Sequence, residues 1–352
     1  MPDFRIALTA DFYDAQNALR FADMGLELLA ANPRVATTRF AEHRPEIAPE
    51  QLRGIAGAIV LTPRVSRTSV AEAADLLAVA RFGVGFDGVD VTACTLHDVA
   101  VTITTGAVDR PVAEATVGWM IGLTHHLRVK DRLVREGAWD ARTQYMGREL
   151  RDRTLGLVGF GGIGRALVAL LHGFGMRPPL VHDPFVADDA IRAAGCEPVA
   201  LETLLARADF VSLHCPLNER TRGLIGAREI ARMRPDAYLI NTARGGIVDE
   251  DALFDALRTG AIAGAALDCF AAEPVVTPHR FGTLDNVLLA PHAIAWTEEM
   301  FRDVGRAACG GLLALSIGRR PTGVLNPEVF LRPTFRDKWA RVAGLPADRL
   351  EP

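Results

Sequence analysis

A glycine motif near the middle of the chain limits its fold more than any other feature. Residues 159–164 read Gly-Phe-Gly-Gly-Ile-Gly, after the apolar run Leu155–Val158 and before the helix-like stretch Arg165–Leu171. A second strand-like stretch, Leu180–His182, ends at Asp183, 19 residues past the last glycine. A strand, a glycine turn, a helix, a strand and an acid thus follow one another in the order of a dinucleotide-binding unit.

The glycines have separate tasks in such a unit. Gly159 permits the tight turn, Gly161 lets the backbone approach a pyrophosphate, and Gly164 lets the helix pack closely on the sheet. The N-terminus of the helix adds unpaired N–H groups and a partial positive charge. The residues predicted to hold the pyrophosphate end of a nucleotide are Gly159, Gly161, Gly162, Ile163, Gly164 and Arg165.

The acid at residue 183 bears on the choice of nucleotide. A carboxylate at the end of the second strand accepts hydrogen bonds from the ribose hydroxyls of NAD and repels the extra phosphate of NADP. Asp183 with Pro184 also fits a simple turn, and His182, Arg177 and Arg192 are basic neighbours. The sequence predicts NAD as the cofactor.

Composition excludes several classes of protein. A chain of 352 residues exceeds what one core usually fills, so we expect two domains. A net charge of −4 gives no reason to expect a nucleic acid or an anionic membrane as partner. Five scattered cysteines are typical of reduced thiols. The start lacks a secretory pattern, and no apolar run reaches about 20 residues, so we expect a cytoplasmic protein.

Short apolar strands alternate with helical patterns along most of the chain, which predicts parallel sheets. In the first part we expect strands at Phe4–Leu8, Ala56–Leu61 and Val99–Ile103, a strand running into a glycine loop at Val79–Gly85, and helices at Ala15–Ala30 and Val70–Ala80. In the second part we expect strands at Leu155–Val158, Leu180–His182, Phe210–Leu213, Tyr238–Asn241, Gly264–Leu267 and Val287–Leu289. A helix over Thr297–Ile317 and a tail interrupted by prolines should follow. The pattern leaves open whether this tail wraps the first domain or a partner.

One long helical pattern covers residues 111–136 and begins at a proline, which suits a helix start. Its apolar positions cover more than one face. Burial against a second subunit and burial within its own domain explain this equally well.

Three potentially catalytic side chains follow predicted strands of the second half. Arg244 comes after Tyr238–Asn241, Glu273 lies in the segment after Gly264–Leu267, and His292 follows Val287–Leu289. The carboxyl ends of parallel strands meet at one edge, where open α/β folds bind ligands. Taken singly, these residues could be a surface ion-pair partner, a loop acid and a hydrogen-bonded loop histidine. Their shared edge favours a site.

Together the three suit the interconversion of a 2-hydroxy acid and a 2-oxo acid. A histidine can move the proton of the substrate oxygen, a carboxylate can orient and charge that ring, and an arginine can grip the substrate carboxylate. The redox step belongs to the nicotinamide. No metal-ligand spacing and no serine nucleophile motif competes.

The chain resembles the D-isomer-specific 2-hydroxyacid dehydrogenase family. The resemblance runs from about residue 54 to 326, through the segments Gly83–Asp90, Thr154–Gly164, Ser212–Ile225, Asn241–Glu250, Ala266–Pro274 and Pro291-His292. It implies that Arg244, Glu273 and His292 are catalytic. It also implies a split substrate domain (1–107 and 295–352), flavodoxin-like and itself doubly wound, a Rossmann NAD-binding domain (108–294) with a cleft between them, and a homodimer through the 111–136 helix.

Further site residues are implied only by this resemblance. The loop with Val84, Gly85 and Phe86 would hold the substrate carboxylate through backbone N–H groups. Asp268 would face the nicotinamide amide. The other implied cofactor contacts are Val112, Cys215, Pro216, Thr221, Thr242 and Ala243.

The sequence departs from the family just after the histidine, where Gly-Ser-Ala is common and this chain has Ala293-Ile294-Ala295-Trp296. Trp296 would narrow the substrate pocket if it reaches the site, or else it packs at the hinge. Two other functions fit the same residues. One is a phosphoglycerate- or erythronate-phosphate-type dehydrogenase, which needs basic contacts such as Arg64 or Arg67. The other is an NAD(H)-responsive, corepressor-like binding protein.

Overall fold

The computed structural model describes residues 4–351. The chain forms two compact units. The first contains the chain up to Val108 and again from Trp296, and the second is Asp109–Ala295.

The first unit contains a five-stranded parallel sheet with the strand order β2-β1-β3-β4-β5. All four residues of β3 are buried, as expected for a strand covered on both faces. This order is the flavodoxin-like form of the doubly wound fold, so the predicted fold class is confirmed here. The strands are β1 (Phe4–Leu8), β2 (Val35–Arg39), β3 (Gly57–Val60), β4 (Ala78–Arg81) and β5 (Ala100–Ile103).

The helices that connect these strands are short. They are α1 (Leu26–Ala30), α2 (Arg67–Val70) and α3 (Val91–Leu96). The predicted helix over Ala15–Ala30 is wrong except for its last turn, because Asn17 and Gly25 adopt left-handed φ angles of 63° and 69°.

The predicted helix over Val70–Ala80 is also wrong. α2 ends at Val70, and the alanine- and leucine-rich residues that follow lead into β4, inside the sheet. Pairing with two neighbouring strands there overrides a local preference for helix. Strand β2 was not predicted at all. Its residues are half-buried or exposed, so no apolar run marks it.

The second unit contains a seven-stranded parallel sheet with the order β12-β11-β10-β9-β6-β7-β8. Counted from its first strand this is 7-6-5-4-1-2-3, the Rossmann order with one added edge strand. All six strands predicted for this half are confirmed at their predicted bounds. The strands are β6 (Leu155–Val158), β7 (Leu180–His182), β8 (Glu197–Pro198), β9 (Phe210–Leu213), β10 (Tyr238–Asn241), β11 (Gly264–Leu267) and β12 (Val287–Leu289).

Seven helices of the described chain belong to this unit. They are α4 (Asp109–Thr124), α5 (Leu127–Arg135), α6 (Gly162–Leu171), α7 (Asp188–Ala193), α8 (Leu201–Arg207), α9 (Ala227–Ile230) and α10 (Glu250–Thr259). The single helix predicted over 111–136 is wrong, because His126 has a left-handed φ of 54° and separates α4 from α5. The apolar side of α4 packs within its own unit, against α6, β11 and β12.

The chain returns to the first unit through α11 (Glu298–Ser316) and α12 (Pro333–Ala343). The tail packs on that unit: Asn326, fully buried, donates to Val99 O and accepts from Val101 N. Trp339 donates from Nε1 to Leu315 O at 2.8 Å. Short segments of 3-10 helix occur at Ala10–Phe12, Pro49–Leu52, Trp139–Gln144, His172–Phe174, Arg280–Thr283, Pro327–Leu331 and Ala347–Arg349.

Each unit has its own hydrophobic core. One cluster of buried residues lies in the first unit, and two clusters cover the two faces of the seven-stranded sheet. The five cysteines are free thiols. From residue 4 to 351, no helix has both the length and the apolar character needed to cross a membrane.

Candidate active site

The glycine motif lies at the point where the strand order of the second sheet reverses, between β6 and β9. Gly159 directly follows β6 and has a φ of 97°. A Cβ at this position would lie 2.8 Å from the backbone of His214, which follows β9. A Cβ at Gly164 would lie 2.9 Å from the carbonyl oxygen of Gly159. Both positions therefore require glycine, and the motif opens α6 as predicted.

Asp183 follows β7 and braces this glycine loop. Its carboxylate accepts from Phe160 N at 2.8 Å and from Phe185 N at 2.9 Å. The bond from Phe185 N is the turn that Asp183 and Pro184 predict, and the bond from Phe160 N ties the carboxylate to the glycine loop. Arg165 is exposed and its guanidinium lies 4.5 Å from the centroid of the Phe160 ring, while Ile163 is half-buried.

The surroundings of the loop fit a dinucleotide. A Cβ at Gly161 would meet no described atom within 4 Å, so the start of α6 is open. The hydroxyl of Thr242 is buried without a hydrogen-bond partner among the described residues, as expected of a group that serves a ligand. An acid that the sequence analysis missed, Asp109 on the first turn of α4, contacts Gly162. Burial raises the pKa of Asp109.

The other predicted cofactor residues lie on α4 and in the segments that follow β9 and β10. Val112 lies one turn along α4 from Asp109 and is half-buried. Cys215 is half-buried, and burial raises the pKa of its thiol to about 11. Pro216 and Thr221 belong to one turn, in which the threonine hydroxyl donates to Pro216 O at 2.6 Å. Ala243 follows β10 directly after Thr242.

Strands β10, β11 and β12 are neighbours and end in register, with Asn241 opposite Leu267 and Leu267 opposite Leu289. The segments after them therefore leave the same edge of the sheet. Arg244, Glu273 and His292 all lie in these segments, and Asp268 begins the second of them.

Glu273 and His292 form a hydrogen-bonded pair. His292 Nδ1 and Glu273 Oε2 are 2.8 Å apart. The other carboxylate oxygen accepts from Phe270 N at 2.8 Å. Burial raises the pKa of Glu273, but the hydrogen bonds from His292 and Phe270 and the charges of His292 and Arg244 outweigh burial and lower it overall. The carboxylate thus stays ionised beside the imidazole.

His292 is held in an unusual backbone conformation, with a φ of 53°. Asp268 stabilises it. The backbone oxygen of Asp268 accepts from His292 N at 2.8 Å, and Oδ1 accepts from Ala293 N at 2.8 Å and Ile294 N at 3.1 Å. Burial raises the pKa of Asp268, partly offset by these bonds. Strain of this kind is common at functional sites.

The Arg244 loop is shaped by its neighbours. Asn241 donates to Arg244 O and accepts from Ala243 N, at 2.9 and 3.0 Å. Arg244 donates from Nη1 to Ala243 O at 2.7 Å. Gly245 has no room for a side chain, because a Cβ there would collide with the carbonyl of Phe270. The arginine loop and the glutamate loop therefore touch through their backbones.

The chain is similar in sequence and in structure to known proteins. Residues 117–293 match the family model of the D-isomer specific 2-hydroxyacid dehydrogenase, NAD binding domain. Over 273 residues the chain is 38% identical to a glyoxylate reductase of Korarchaeum cryptofilum, covering 77% of this chain and 82% of that protein.

The chain belongs to the D-isomer-specific 2-hydroxyacid dehydrogenase family. It is an NAD-dependent enzyme that interconverts 2-hydroxy and 2-oxo acids. Another relative is an (S)-sulfolactate dehydrogenase of Chromohalobacter salexigens, 44% identical over 237 residues, 67% of this chain and 76% of that protein. Among solved structures, a glyoxylate reductase from Paecilomyes thermophila superposes with a TM-score of 0.80 at 27% identity, covering 93% of this chain and 99% of that one.

Sequence analysis of the dehydrogenase missed residues that act on the glutamate loop. Glu250, the first residue of α10, accepts from Ala271 N at 2.6 Å. Its other oxygen lies 3.6 Å from His279 Nε2. The thiol of Cys269 donates to Ala243 O at 3.4 Å, and ligand atoms of Cys269, Glu273 and His292 lie within 4.8 Å of one another. Loop packing brings these residues together, so sequence spacing gives no signal for them.

The remaining predicted residues lie in the first unit of the dehydrogenase. Val84 and Gly85 are half-buried and Phe86 is exposed, in the loop after β4. Trp296 is 56% exposed and packs edge-on against Phe21 and Phe301. Phe21 in turn stacks on Phe82, which directly precedes this loop. An aromatic cluster thus lies behind the loop and ends in an exposed indole.

Proposed function

We propose that His292 is the acid–base residue of this dehydrogenase, and that Glu273 and Arg244 assist it. The observation that carries this proposal is the 2.8 Å contact between His292 Nδ1 and Glu273 Oε2. That contact leaves Nε2 of the ring for a substrate oxygen. The ionised carboxylate favours the protonated imidazole, the form that donates a proton during reduction of a 2-oxo acid.

Arg244 grips the substrate carboxylate with paired hydrogen bonds and polarises the adjacent carbonyl. When bound, the nicotinamide supplies or accepts the hydride. His292 Nε2 then gives its proton to the carbonyl oxygen in reduction, or takes the hydroxyl proton in oxidation. Asp268 holds the histidine backbone through its three hydrogen bonds. These steps use no metal ion.

NAD is held by the second unit. The glycine segment (Gly159, Gly161, Gly162, Ile163, Gly164 and Arg165) would contact the pyrophosphate, and Asp183 the adenosine ribose. Val112, Cys215, Pro216, Thr221, Thr242, Ala243 and Asp268 would contact the rest. The buried Thr242 hydroxyl and the open start of α6 support this assignment, and the carboxylate of Asp183 favours NAD over NADP.

Val84, Gly85 and Phe86 would hold the substrate carboxylate, with Trp296 beside its side chain. The indole and the aromatic rings that pack on it are apolar, which favours an unphosphorylated 2-oxo acid. NADH oxidation across glyoxylate, hydroxypyruvate, pyruvate, branched, aromatic and phosphorylated 2-oxo acids tests this. If a phosphorylated acid is the best substrate, the result would instead indicate a phosphoglycerate- or erythronate-phosphate-type enzyme with Arg64 or Arg67 as contacts. NADH binding without turnover on any acid would favour the corepressor-like function.

The same panel run with Trp296→Ala tests the tryptophan. If Trp296 borders the substrate, the ranking of the acids by kcat/KM changes and larger acids gain. An unchanged ranking would place Trp296 outside the pocket.

We also propose a homodimer in a reducing compartment, the cytoplasm. The region around α5 exposes four large apolar side chains, Leu127, Val134, Trp139 and Met146, which are 52%, 65%, 61% and 82% exposed. Several large exposed apolar side chains within one short segment of the chain favour an interface there. Sedimentation of the wild type should give a dimer, and Val134→Asp should shift it towards monomer. The five free thiols support the compartment.

A further inference from the structure

We propose that Cys269, Glu273 and His292 form a binding site for a thiophilic divalent cation such as Zn²⁺, and that this cation inhibits the enzyme. The inhibition rests on the proposed roles of Glu273 and His292, whereas the binding does not. Cation binding at these residues is separate from the steps proposed above, which use no metal.

The donor set is the first argument. A thiolate, a carboxylate and an imidazole are the three ligand types that zinc takes from proteins. Bonds of about 2.0–2.3 Å in tetrahedral geometry place such ligand atoms about 3.5 Å apart. The three ligand atoms lie within 4.8 Å of one another. Side-chain adjustments of about 1 Å would therefore bring all three onto one cation.

Access and charge are the second argument. Cys269 is 2% exposed, whereas the side chains of His292 and Glu273 are 45% and 33% exposed. A hydrated cation can therefore arrive from the histidine side. Arg244 opposes it with one positive charge. The carboxylate and the thiolate together balance the two charges of the cation.

Binding and catalysis exclude each other at these atoms. The cation takes the Nδ1 lone pair of His292, so the ring proton moves to Nε2, and the Glu273–His292 hydrogen bond is lost. The thiol proton of Cys269 leaves to solvent as the sulfur becomes a thiolate ligand. The imidazole can then no longer cycle between its protonated and neutral forms, and turnover stops.

Cd²⁺ titration of the purified, cofactor-free protein tests binding without reference to activity. Cd²⁺ bound to a thiolate absorbs in the ultraviolet, and the wild type should show this band saturating at one equivalent. Cys269→Ala should lose the band. The matched control Cys196→Ala, which removes another buried thiol of the same unit, should keep it. A band that persists in Cys269→Ala, or that disappears in Cys196→Ala, overturns the site.

A second variant keeps the proposal testable if Cys269→Ala does not fold. Glu273→Gln should keep the band but weaken Cd²⁺ binding at least about tenfold, because a ligand is lost. Unchanged affinity would remove Glu273 from the site.

Inhibition is measured separately as NADH oxidation in the presence of Zn²⁺. Wild type and Cys196→Ala should be inhibited and recover with a chelator, while Cys269→Ala should resist the metal. A wild type that binds Cd²⁺ but keeps full activity in Zn²⁺ overturns the inhibitory role. A protein that shows the band but has no turnover with any 2-oxo acid contradicts the proposed function and leaves the cation site established.

Discussion

At the scale of single residues, His292 combines a left-handed backbone with a hydrogen bond to an ionised carboxylate. An informative variant must abolish proton transfer by residue 292 without adding strain to its left-handed backbone. Asparagine tolerates the left-handed region better than alanine. We therefore expect His292→Asn to fold normally and to lower kcat by about 10²–10⁴, the usual contribution of general acid–base catalysis.

NADH binding is the control for this variant. Its Kd, followed by NADH fluorescence, should stay within about twofold of the wild type, since a lost proton donor does not touch the nucleotide sites. A parallel loss of NADH binding would show that His292 supports the fold of the site instead.

Glu273 should control the pH profile. Its pKa lies below the ordinary value, so its charge is present throughout neutral pH and is lost only on strong acidification. Acid that protonates Glu273 removes the anion that pairs with His292, so kcat/KM of the wild type should fall as the pH drops through the lowered pKa of Glu273. Glu273→Gln has no carboxyl group to titrate, so this fall on the acid side should disappear and kcat/KM should be low across the whole range. A fall on the acid side that persists in Glu273→Gln would contradict the pair.

Asp183 should decide the preference between the two nucleotides. Asp183→Asn removes the charge but keeps an oxygen that can accept from Phe160 N or Phe185 N. Loss of charged hydrogen bonds to ribose costs about 1.5–3 kcal/mol, so NADH should bind about ten- to a hundredfold more weakly while NADPH changes little. Asp189→Asn, exposed nearby, is the control. An unchanged ratio of the two Kd values argues against a ribose contact.

At the scale of elements, the sequence predicts those strands that are marked by a local run of buried apolar residues. Six of the seven strands of the second sheet are short apolar runs between turn residues, and their bounds match the structure. Errors occur where tertiary contacts decide. Ala78–Ala80 is helix-prone but pairs within a sheet, β2 is too exposed to show a pattern, and His126 breaks a helix that periodicity alone continues.

The same distinction between local sequence pattern and tertiary contact applies to the candidate site. Arg244, Glu273 and His292 can be predicted to share an edge because each follows a parallel strand. Asp109, Glu250 and the proximity of Cys269 cannot, because they depend on how loops fold back onto that edge.

Glu250, at the start of helix α10, supports the site without being one of its proposed catalytic residues. It begins α10 and accepts from Ala271 N, two residues before Glu273. Glu250→Ala should release this loop and lower kcat about tenfold, with little effect on the Kd of NADH. Glu250→Gln keeps an amide oxygen as acceptor and should restore most of the activity. Equal losses in both variants would show that charge, rather than this hydrogen bond, is what matters.

At the scale of the whole molecule, the two units have separate cores, and the chain that leaves the second unit completes the first. Trp339 in α12 is fully buried and donates to Leu315 O in α11. The tail is therefore a structural part of the first unit. Loss of the tail's contacts should lower the stability of that unit's core and should leave the nucleotide-binding residues of Asp109–Ala295 unaffected.

Trp339→Ala removes a large buried ring and one hydrogen bond, which costs about 3–5 kcal/mol. Hydrogen exchange followed by mass spectrometry should show lower protection across β1, β3, β4 and α11, while β6, β9 and β10 keep theirs and the Kd of NADH is unchanged. The matched variant Leu331→Ala, at a 69% exposed position of the same tail, should change protection little. Equal loss of protection in both units would show that the two cores unfold together, because Trp339→Ala removes contacts in the first core only.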